Sequence, residues 1–288
     1  MAPASPFDRR KLARGCRVIE QMGFVPVVDK QEFSRRGFLA GDDEARARRL
    51  RRGLLEDDTR AVWCIRGGYG SSRLLERLDL ERIKARPKIL IGFSDITALL
   101  LPLSAPGGFV TIHGPVVTQL PDLSQGARRW LKKLISGKQP AGRVPLGRLK
   151  TLVHGRTRGF LLGGNLSVLT SLLGTPHLPP LAGAILYLED VAELAYRLDR
   201  MLLQLRQSGA VKNVFGVLLG SLKNCRPAGC KRYSARSVLE RAVTELGVPA
   251  VSGAAFGHQG RNIALPNGLL VSLDADQGRL ELLEPAVC

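Results

Sequence analysis

The chain has 288 residues and carries 43 Lys or Arg against 25 Asp or Glu, so its formal net charge at pH 7 is +18. Hydrophobic residues make up 44% and can form a sizeable core, which excludes a disordered chain. The sequence has no repeat of fixed period, which argues against a solenoid. The basic excess points to an anionic partner: nucleic acid, a membrane surface or a polyanionic small substrate. Aromatic residues make up only 5%, which disfavours base stacking and makes nucleic acid an unlikely partner.

Strands and helices alternate along the first 120 residues. Hydrophobic periodicity predicts strands at 25–28, 61–65, 88–93 and 109–112, and helices at 8–22, 42–56, 72–80 and 95–103. This alternation is typical of a parallel sheet with helices on both faces. We therefore expect residues 1–120 to form an N-terminal α/β domain.

The pattern changes after residue 120. Residues 121–155 are rich in Gly and Pro, contain one short basic helix at 125–134, and are predicted to connect two domains. Residues 156–288 are predicted to form a C-terminal domain of mixed strands and helices. Its expected strands lie at 184–188, 214–219, near 251, 269–273 and 279–283, and its expected helices follow residue 165 and cover 196–206 and 234–246.

A long basic stretch lies across this connection. Between Leu123 and Leu188 the sequence has ten Lys or Arg and not one Asp or Glu. These cations either form a solvated face or raise the positive potential near a substrate groove. In the second case, turnover of an anionic substrate should fall as the ionic strength rises.

The cysteines and apolar segments indicate the cellular location. Five scattered cysteines favour a reducing compartment over a disulfide framework. Cys225 and Cys230 are close together without a second Cys or His pair nearby, so we predict neither a metal site nor a cofactor. The N-terminus lacks the apolar core of a signal peptide, and the apolar stretch 89–112 is interrupted by Ser94, Asp95 and a Pro-Gly-Gly turn. We expect a soluble, cytoplasmic chain without a membrane span.

Ser94 lies where a buried strand gives way to a helix, in the segment Gly92-Phe-Ser-Asp-Ile-Thr97. The carboxyl edge of an open parallel sheet is where ligands bind, so this serine is a candidate nucleophile. The amide of Asp95, at a helix N-terminus, could donate to a developing oxyanion. The alternative is an ordinary N-cap serine, which this feature alone favours. The segment also lacks the G-x-S-x-G pattern of α/β-hydrolases.

A glycine-rich loop, Arg66-Gly-Gly-Tyr-Gly70, follows the neighbouring strand. Glycines let backbone amides approach a ligand closely, so the Gly68 N–H is a candidate second oxyanion donor. The segment satisfies neither the dinucleotide nor the P-loop pattern. The alternative is a tight turn between strand and helix.

A serine nucleophile needs a base, and four histidines are available: His113, His154, His177 and His258. His258 lies in a glycine-flanked loop that suits a reactive group, whereas His113 ends a strand and could instead support the site or contact the substrate. Glu189 and Asp190 end a buried strand, where a carboxylate needs a partner such as a histidine. The alternative places this pair in the acidic first turn of the next helix, which explains Asp190 better than Glu189.

Several of these segments, taken together and in order, resemble the LD-carboxypeptidase (muramoyltetrapeptide carboxypeptidase) family. The resemblance covers nearly the whole chain, although Gln259 and Ala195 depart from the residues that are commoner in the family. The matching segments are Arg66-Gly-Gly-Tyr-Gly70, Ile91-Gly-Phe-Ser-Asp-Ile-Thr-Ala98, His113-Gly-Pro115, Gly163-Gly-Asn-Leu166, Gly174-Thr-Pro176, Leu188-Glu-Asp-Val191, Tyr196-Arg-Leu-Asp-Arg200, Phe256-Gly-His258 and Leu265-Pro-Asn-Gly268.

The resemblance implies a flavodoxin-like parallel-sheet N-terminal domain, a smaller mixed α/β C-terminal domain and a Ser–His–Glu serine peptidase. The nucleophile, base and orienting acid map onto Ser94, His258 and Glu189, and the oxyanion amides onto Gly68 and Asp95. The substrate-binding residues expected in the matching segments are Arg66, Tyr69, His113 and Asn165.

The activity that the resemblance implies is cleavage of the L–D amide that releases the terminal D-Ala of murein tetrapeptides during cell-wall recycling. Such enzymes work in the cytoplasm without a metal, usually as homodimers. One alternative in the same fold is a microcin-immunity-type peptidase that cleaves peptidyl-nucleotide toxins. Alternatives of another class are a basic nucleic-acid-binding protein and an inactive relative that only binds wall peptides.

Overall fold

Two β-sheets organise the chain in a computed structural model that describes residues 1–104, 109–227 and 233–287. The predicted Pro-Gly-Gly turn at 106–108, Cys230 and Cys288 lie outside the described residues. Among the helices that are described, none is long and apolar enough to cross a membrane.

The first sheet has four strands in the order β1-β2-β3-β10. Three of them, β1 (Ala61–Trp63), β2 (Ile89–Gly92) and β3 (Thr111–His113), are parallel and come from the first half. The fourth, β10 (Leu265–Asn267), comes from the second half and pairs antiparallel with β3. The C-terminal half of the chain thus completes the N-terminal sheet.

Of the four α-helices within residues 1–104, the first three begin at acidic caps, whereas the fourth has Ile96 at its N-cap position and no side-chain cap. Asp8, Asp42 and Asp79 each accept a hydrogen bond from a backbone N–H in the first turn of the helix that follows. A carboxylate at this position satisfies an otherwise free donor and interacts favourably with the helix dipole. The helices are α1 (Arg9–Gln21), α2 (Asp43–Leu55), α3 (Leu80–Lys84) and α4 (Thr97–Leu103).

The second sheet has eight strands in the order β4-β12-β11-β6-β7-β8-β9-β5. The central four are parallel, and the flanking strands run antiparallel to their neighbours. The strands are β4 (Gly142–Arg143), β5 (Lys150–Val153), β6 (Arg156–Asn165), β7 (Ala184–Val191), β8 (Gly216–Lys223), β9 (Ala250–Ser252), β11 (Leu270–Asp274) and β12 (Arg279–Leu282). The remaining helices are α5 (Gln125–Ser136), α6 (Leu166–Ser171), α7 (Ala195–Gln207) and α8 (Ala235–Thr244).

The two sheets meet at the carboxyl ends of β2 and β6. The backbone N–H of Asn165 donates to Thr97 Oγ1 at 3.1 Å. A Cβ on the preceding residue, Gly164, would lie only 2.6 Å from the same oxygen, and Gly164 also has a φ of +149°. Only glycine permits this approach, which brings the end of the second sheet against the helix that follows Ser94.

The α/β class, with a parallel-strand N-terminal sheet and a mixed C-terminal sheet, is confirmed. The strand predicted at 25–28 is wrong: these residues form no strand, and Val25 and Val27 are 88% and 73% exposed. Pro26 cannot donate a ladder hydrogen bond, which weakens any strand here. The segment predicted as a connection, 121–155, contains α5 and two edge strands, β4 and β5.

Candidate active site

Ser94 lies at the end of β2 and has a φ of +64°. A residue with a Cβ is strained in the left-handed region by roughly 1–2 kcal/mol, and such strain concentrates at functional sites. Ser94 starts a short 3₁₀ turn, Ser94–Ile96, that leads into α4. The residue in the cap position is Phe93, and its side chain makes no capping bond. The N-cap interpretation of Ser94 is therefore wrong.

His258 and Glu189 lie beside this serine and form a hydrogen-bonded chain with it. His258 Nε2 is 3.1 Å from Ser94 Oγ, and His258 Nδ1 is 2.7 Å from Glu189 Oε2. The backbone N–H of His258 donates to the same carboxylate oxygen at 3.2 Å. The nucleophile comes from the first sheet, the carboxylate from β7 of the second sheet and the histidine from a loop before β10, so folding of both halves builds the site.

Glu189 is completely buried but has partners that favour its ionised form. Burial acts to raise the pKa of this carboxyl, but the hydrogen bond and charge of His258 outweigh it, with smaller help from the Asn165 hydrogen bond, and lower the net pKa. The loop approaches closely: a Cβ on Gly257, whose φ is +90°, would lie 2.5 Å from Glu189 Oε2. An ionised carboxylate fixed on Nδ1 holds the imidazole with Nε2 facing the serine.

Asp190, the neighbour of Glu189, has a different partner. Its Oδ2 accepts hydrogen bonds from the backbone N–H of Ser167 at 2.9 Å and from the Ser167 hydroxyl at 2.7 Å. It therefore binds the first turn of α6 and not, as the sequence suggested, that of the next helix, α7. Burial raises the pKa of this carboxyl above its usual value. The pairing register of β7 with β8 shifts between Leu188 and Asp190, at the position of the two carboxylates.

The two candidate oxyanion donors belong to segments that adjoin the nucleophile: Asp95 follows Ser94 in the chain, and Gly68 lies in the glycine loop. A Cβ on Gly67 would lie 3.0 Å from the Ser94 Cβ, so the glycine loop lies directly against Ser94, and Gly68 has a φ of +108°. Asp95 Oδ2 accepts from the Ser71 N–H at 2.8 Å, which ties this loop to the nucleophile turn. Within the described residues, neither the Gly68 nor the Asp95 amide donates to a protein acceptor.

The four predicted substrate-binding residues separate into two pairs. Arg66 and Tyr69 lie exposed on the glycine loop, where contact with a substrate stays a prediction. Asn165 is buried, and its Nδ2 donates to Glu189 Oε1 at 3.3 Å and to the Asp190 carboxylate at 3.2 Å, while its Oδ1 caps α6. The amide nitrogen therefore contacts the acid of the site, and contact of Asn165 with a substrate stays a prediction.

His113, the other buried residue, has no exposed surface, which fits the supporting role that the sequence analysis left open for it. Its ring packs edge-on against Phe93, Tyr187 and Phe256, and Phe93 in turn packs on the ring of His258 at 4.7 Å between centroids. Neither ring nitrogen has a hydrogen-bond partner in the described structure. Burial lowers the pKa of His113 to about 4, so the ring is neutral at neutral pH. It packs against Phe93, which in turn contacts the ring of His258.

The neutral state of His113 predicts a pH dependence of stability. Its pKa is about 4 when folded and near 6.5 otherwise, so unfolding at intermediate pH takes up a proton. The contribution of His113 to the free energy of unfolding is therefore largest above pH ~6.5. It should fall by about 2 kcal/mol between pH 7 and 5. Urea titrations at both pH values should show a smaller loss for His113→Phe than for the wild type. Equal losses would show that His113 is not the group responsible.

Part of the acid-free basic stretch lies far from this site. Arg156 and Arg158 are at the start of β6, and Asn165 is at its end. A ten-residue strand spans roughly 30 Å, several times the Debye length of about 8 Å at physiological ionic strength. Arg156 is also paired with Asp274 at 2.9 Å. For these cations the solvated-face interpretation fits better than a role at the substrate groove.

Two residues support the histidine loop: Asn262, which the sequence analysis did not single out, and Gln259, which it noted only as a departure from the family pattern. Asn262 is buried, accepts from the Gly257 N–H at 2.9 Å and donates to Gln119 at 2.9 Å. The Gln259 side chain donates to the carbonyls of Ala254 and Phe256, each at 3.2 Å, so this departure from the family pattern stabilises the loop. A lone Asn before an apolar run was the available signal for Asn262.

Comparison with known proteins agrees with this geometry. Models of the LD-carboxypeptidase N-terminal and C-terminal domains match residues 1–114 and 158–273. A putative carboxypeptidase of Streptomyces coelicolor is 39% identical over 100% of this chain and 93% of its own length. The murein tetrapeptide carboxypeptidase of Pseudomonas aeruginosa is 34% identical over 97% and 93%, respectively.

The solved structure of muramoyltetrapeptide carboxypeptidase from Oxalobacter formigenes superimposes with a TM-score of 0.82 at 29% identity, covering 98% of this chain and 96% of that one. The microcin C7 self-immunity protein of Escherichia coli is 26% identical over 98% of this chain and 91% of its own length. The resemblance inferred from the motifs is confirmed. The chain belongs to the LD-carboxypeptidase family and is a serine-type carboxypeptidase, a hydrolase.

Proposed function

We propose that the chain cleaves the L–D amide bond that releases the terminal D-Ala of murein tetrapeptides. The observation that carries the proposal is the hydrogen-bonded chain from Glu189 through His258 to the strained Ser94. Relatives named for murein peptides, at 34–36% identity, support the substrate class. A cytoplasmic location and a homodimer belong to the same proposal.

The mechanism follows from the position of each group. His258 Nε2, 3.1 Å from Ser94 Oγ, accepts the hydroxyl proton as the oxygen attacks the carbonyl carbon before D-Ala. Glu189 stabilises the imidazolium that forms. His258 then protonates the departing nitrogen, the C–N bond breaks, and D-Ala leaves behind an acyl-enzyme. A water molecule, deprotonated by the same imidazole, hydrolyses the ester and restores Ser94.

The oxyanion of each tetrahedral intermediate needs donors that are fixed in advance. The amides of Gly68 and Asp95 fit this role, since both lie in segments that adjoin Ser94 and neither is used by another protein acceptor in the described residues. The glycine loop that carries Gly68 is held by Ser5, whose Oγ accepts from the Tyr69 N–H at 3.1 Å. Fixed donors of this kind contribute about 3–4 kcal/mol each to transition-state stabilisation.

Incubation with a defined murein tetrapeptide tests the proposal, with release of free D-Ala measured by mass spectrometry. We expect stoichiometric D-Ala and tripeptide from this substrate and no release from the epimer that ends in L-Ala. A peptidyl-nucleotide conjugate is tested in parallel, because the microcin C7 relative leaves that activity as the second candidate. If the conjugate is cleaved and the tetrapeptide stays intact, cleavage of peptidyl nucleotides becomes the first candidate function and cleavage of murein tetrapeptides the second.

A gel shift with duplex DNA and with RNA at physiological salt tests the remaining class, a nucleic-acid-binding protein. We expect no shift, because the proposal assigns the chain to peptide hydrolysis and its 5% of aromatic residues offers few surfaces for stacking on bases. A shift that disappears only above physiological salt would show a second role for the charge of +18.

A further inference from the structure

A pocket of about 400 Å³ lies beside His258, at the carboxyl end of β8. Lys223, the last residue of β8, and Arg236, in the first turn of α8, bring two cations to its wall. Of the described residues that line it, none is acidic. Because ligands bind at the carboxyl edge of parallel strands, a cationic pocket here lies where substrate is expected.

Neither cation has a strong ion pair of its own. Within the described residues, no carboxylate lies within 4 Å of Lys223, and the only one near Arg236 is Glu240, at 3.9 Å. The Glu240 carboxylate already accepts from Lys150 Nζ at 2.7 Å and from the Ser252 hydroxyl at 2.6 Å. An anion in the pocket would therefore meet two cations that have little competing interaction.

An unused hydrogen-bonding group lies on the same wall. Ser221 Oγ has essentially no solvent exposure and no partner in the part of the chain that the structure describes. A buried hydroxyl without a partner costs free energy unless something bonds to it. Because this oxygen is not exposed to the pocket, a carboxylate there could accept its proton only after the side chain rotated, so Lys223 and Arg236 are the two groups that face an anion.

We infer that this pocket binds the C-terminal carboxylate of the departing residue, with Lys223 as its main cation. The inference rests on the proposed function, in which His258 protonates the departing nitrogen. That nitrogen must then lie on the His258 side of Ser94, and the carboxylate is only two bonds further along the departing residue. The pocket adjoins His258 on the second-sheet side, whereas Arg66 lies on the nucleophile loop, where it donates to the Pro6 carbonyl at 2.7 Å.

The arrangement explains how the site can select exopeptidase cleavage. An internal peptide bond has no free carboxylate at this distance, so it would leave Lys223 and Arg236 without an anion. A hydrogen bond to a charged group contributes about 1.5–3 kcal/mol, or roughly 10- to 100-fold in kcat/KM. The pocket therefore favours a substrate that ends one residue beyond the cleaved bond.

The test compares a tetrapeptide that ends in free D-Ala with the same peptide ending in D-alaninamide. The wild type should prefer the acid, and Lys223→Met should lower kcat/KM for the acid about 10- to 100-fold while leaving the amide nearly unchanged. Lys223→Arg should retain most of the preference. Arg236→Met should act in the same direction, and Lys212→Met, in the turn that precedes the start of β8, should have no effect.

Binding separates this inference from the proposed function. In the Ser94→Ala background, calorimetry should show tighter binding of the acid than of the amide, and Lys223→Met should remove that difference. If the wild type hydrolyses neither peptide, the proposed function fails while this measurement still decides the subsite. Equal losses on acid and amide, or an acid preference that survives both Lys223→Met and Arg236→Met, would overturn the inference.

Discussion

Ser94→Ala should lower kcat for the tetrapeptide by on the order of 10⁶-fold while the chain still folds. The variant removes the only atom that can attack the carbonyl carbon, and it leaves His258, Glu189 and both oxyanion amides in place. What remains is stabilisation by the oxyanion donors and by binding, worth about 10³–10⁴ over water in a comparable serine protease. The measurement is D-Ala release over hours with a high enzyme concentration. A variant that keeps a tenth of wild-type turnover would contradict the assignment of Ser94 as the nucleophile.

The backbone of Ser94 offers a matched control for folding. Alanine retains the Cβ that strains a φ of +64°, whereas glycine removes it. Ser94→Gly should therefore be as inactive as Ser94→Ala but more stable, by up to roughly 1–2 kcal/mol. Ser171→Ala, on the exposed side of α6, should retain full activity. Thermal melting of the three variants separates loss of chemistry from loss of structure.

Much of the first sheet could be predicted from the sequence because its strands are buried on both faces. The runs at 61–65 and 89–93 contain no charged or polar side chain, and each is followed by a break that contains Gly or Ser. The position of Ser94 after such a run placed it at the carboxyl edge of the sheet. Its positive φ could not be predicted, since no propensity favours serine in that conformation.

Long-range pairing accounts for most of what the sequence did not reveal. The strands β4 and β5 have two and four residues and little alternation, and they form only because β12 and β9 offer free edges. For Asp190, reasoning along the chain considered only the next helix. The structure brings the N-terminus of α6 against it across the neighbouring strand.

Burial distinguishes His113 and Asn165 from the two exposed candidates for substrate binding, Arg66 and Tyr69. Both His113 and Asn165 lie in segments that carry the family resemblance, and the resemblance alone does not tell a residue that contacts substrate from one that supports the site. Both side chains are buried, and the Asn165 amide nitrogen donates to two carboxylates, so a supporting role fits both residues while contact with substrate stays a prediction.

Glu189→Gln should lower kcat by about 10⁴-fold, because a neutral amide neither stabilises the imidazolium nor selects the correct tautomer of His258. The glutamine amide has a donating NH₂ group as well as an accepting oxygen. Where the NH₂ group faces His258 Nδ1, that nitrogen is the acceptor, and the neutral ring carries its proton on Nε2, toward Ser94. Because the lowered pKa of Glu189 shows that the ionised form is favoured, the loss should persist throughout the pH range in which the wild type is active.

The matched control is Asp190→Asn, one residue further along β7. Asp190 accepts from the Ser167 N–H and hydroxyl at the start of α6, and it has no hydrogen bond to His258 in the described structure. An asparagine oxygen can still accept from that N–H, so the cost should be about 0.5–2 kcal/mol of stability with little loss of kcat.

The two carboxylates share one partner, Asn165 Nδ2. The two variants should nevertheless differ in activity, because only Glu189 contacts the imidazole. Measuring kcat on one tetrapeptide together with the melting temperature places each variant on both scales. Glu189→Gln should lose activity with a modest change in melting temperature, and Asp190→Asn should show the reverse. If Asp190→Asn proves the more damaged catalyst, the carboxylate that acts on His258 is not the one bonded to Nδ1, and the proposed triad has the wrong acid.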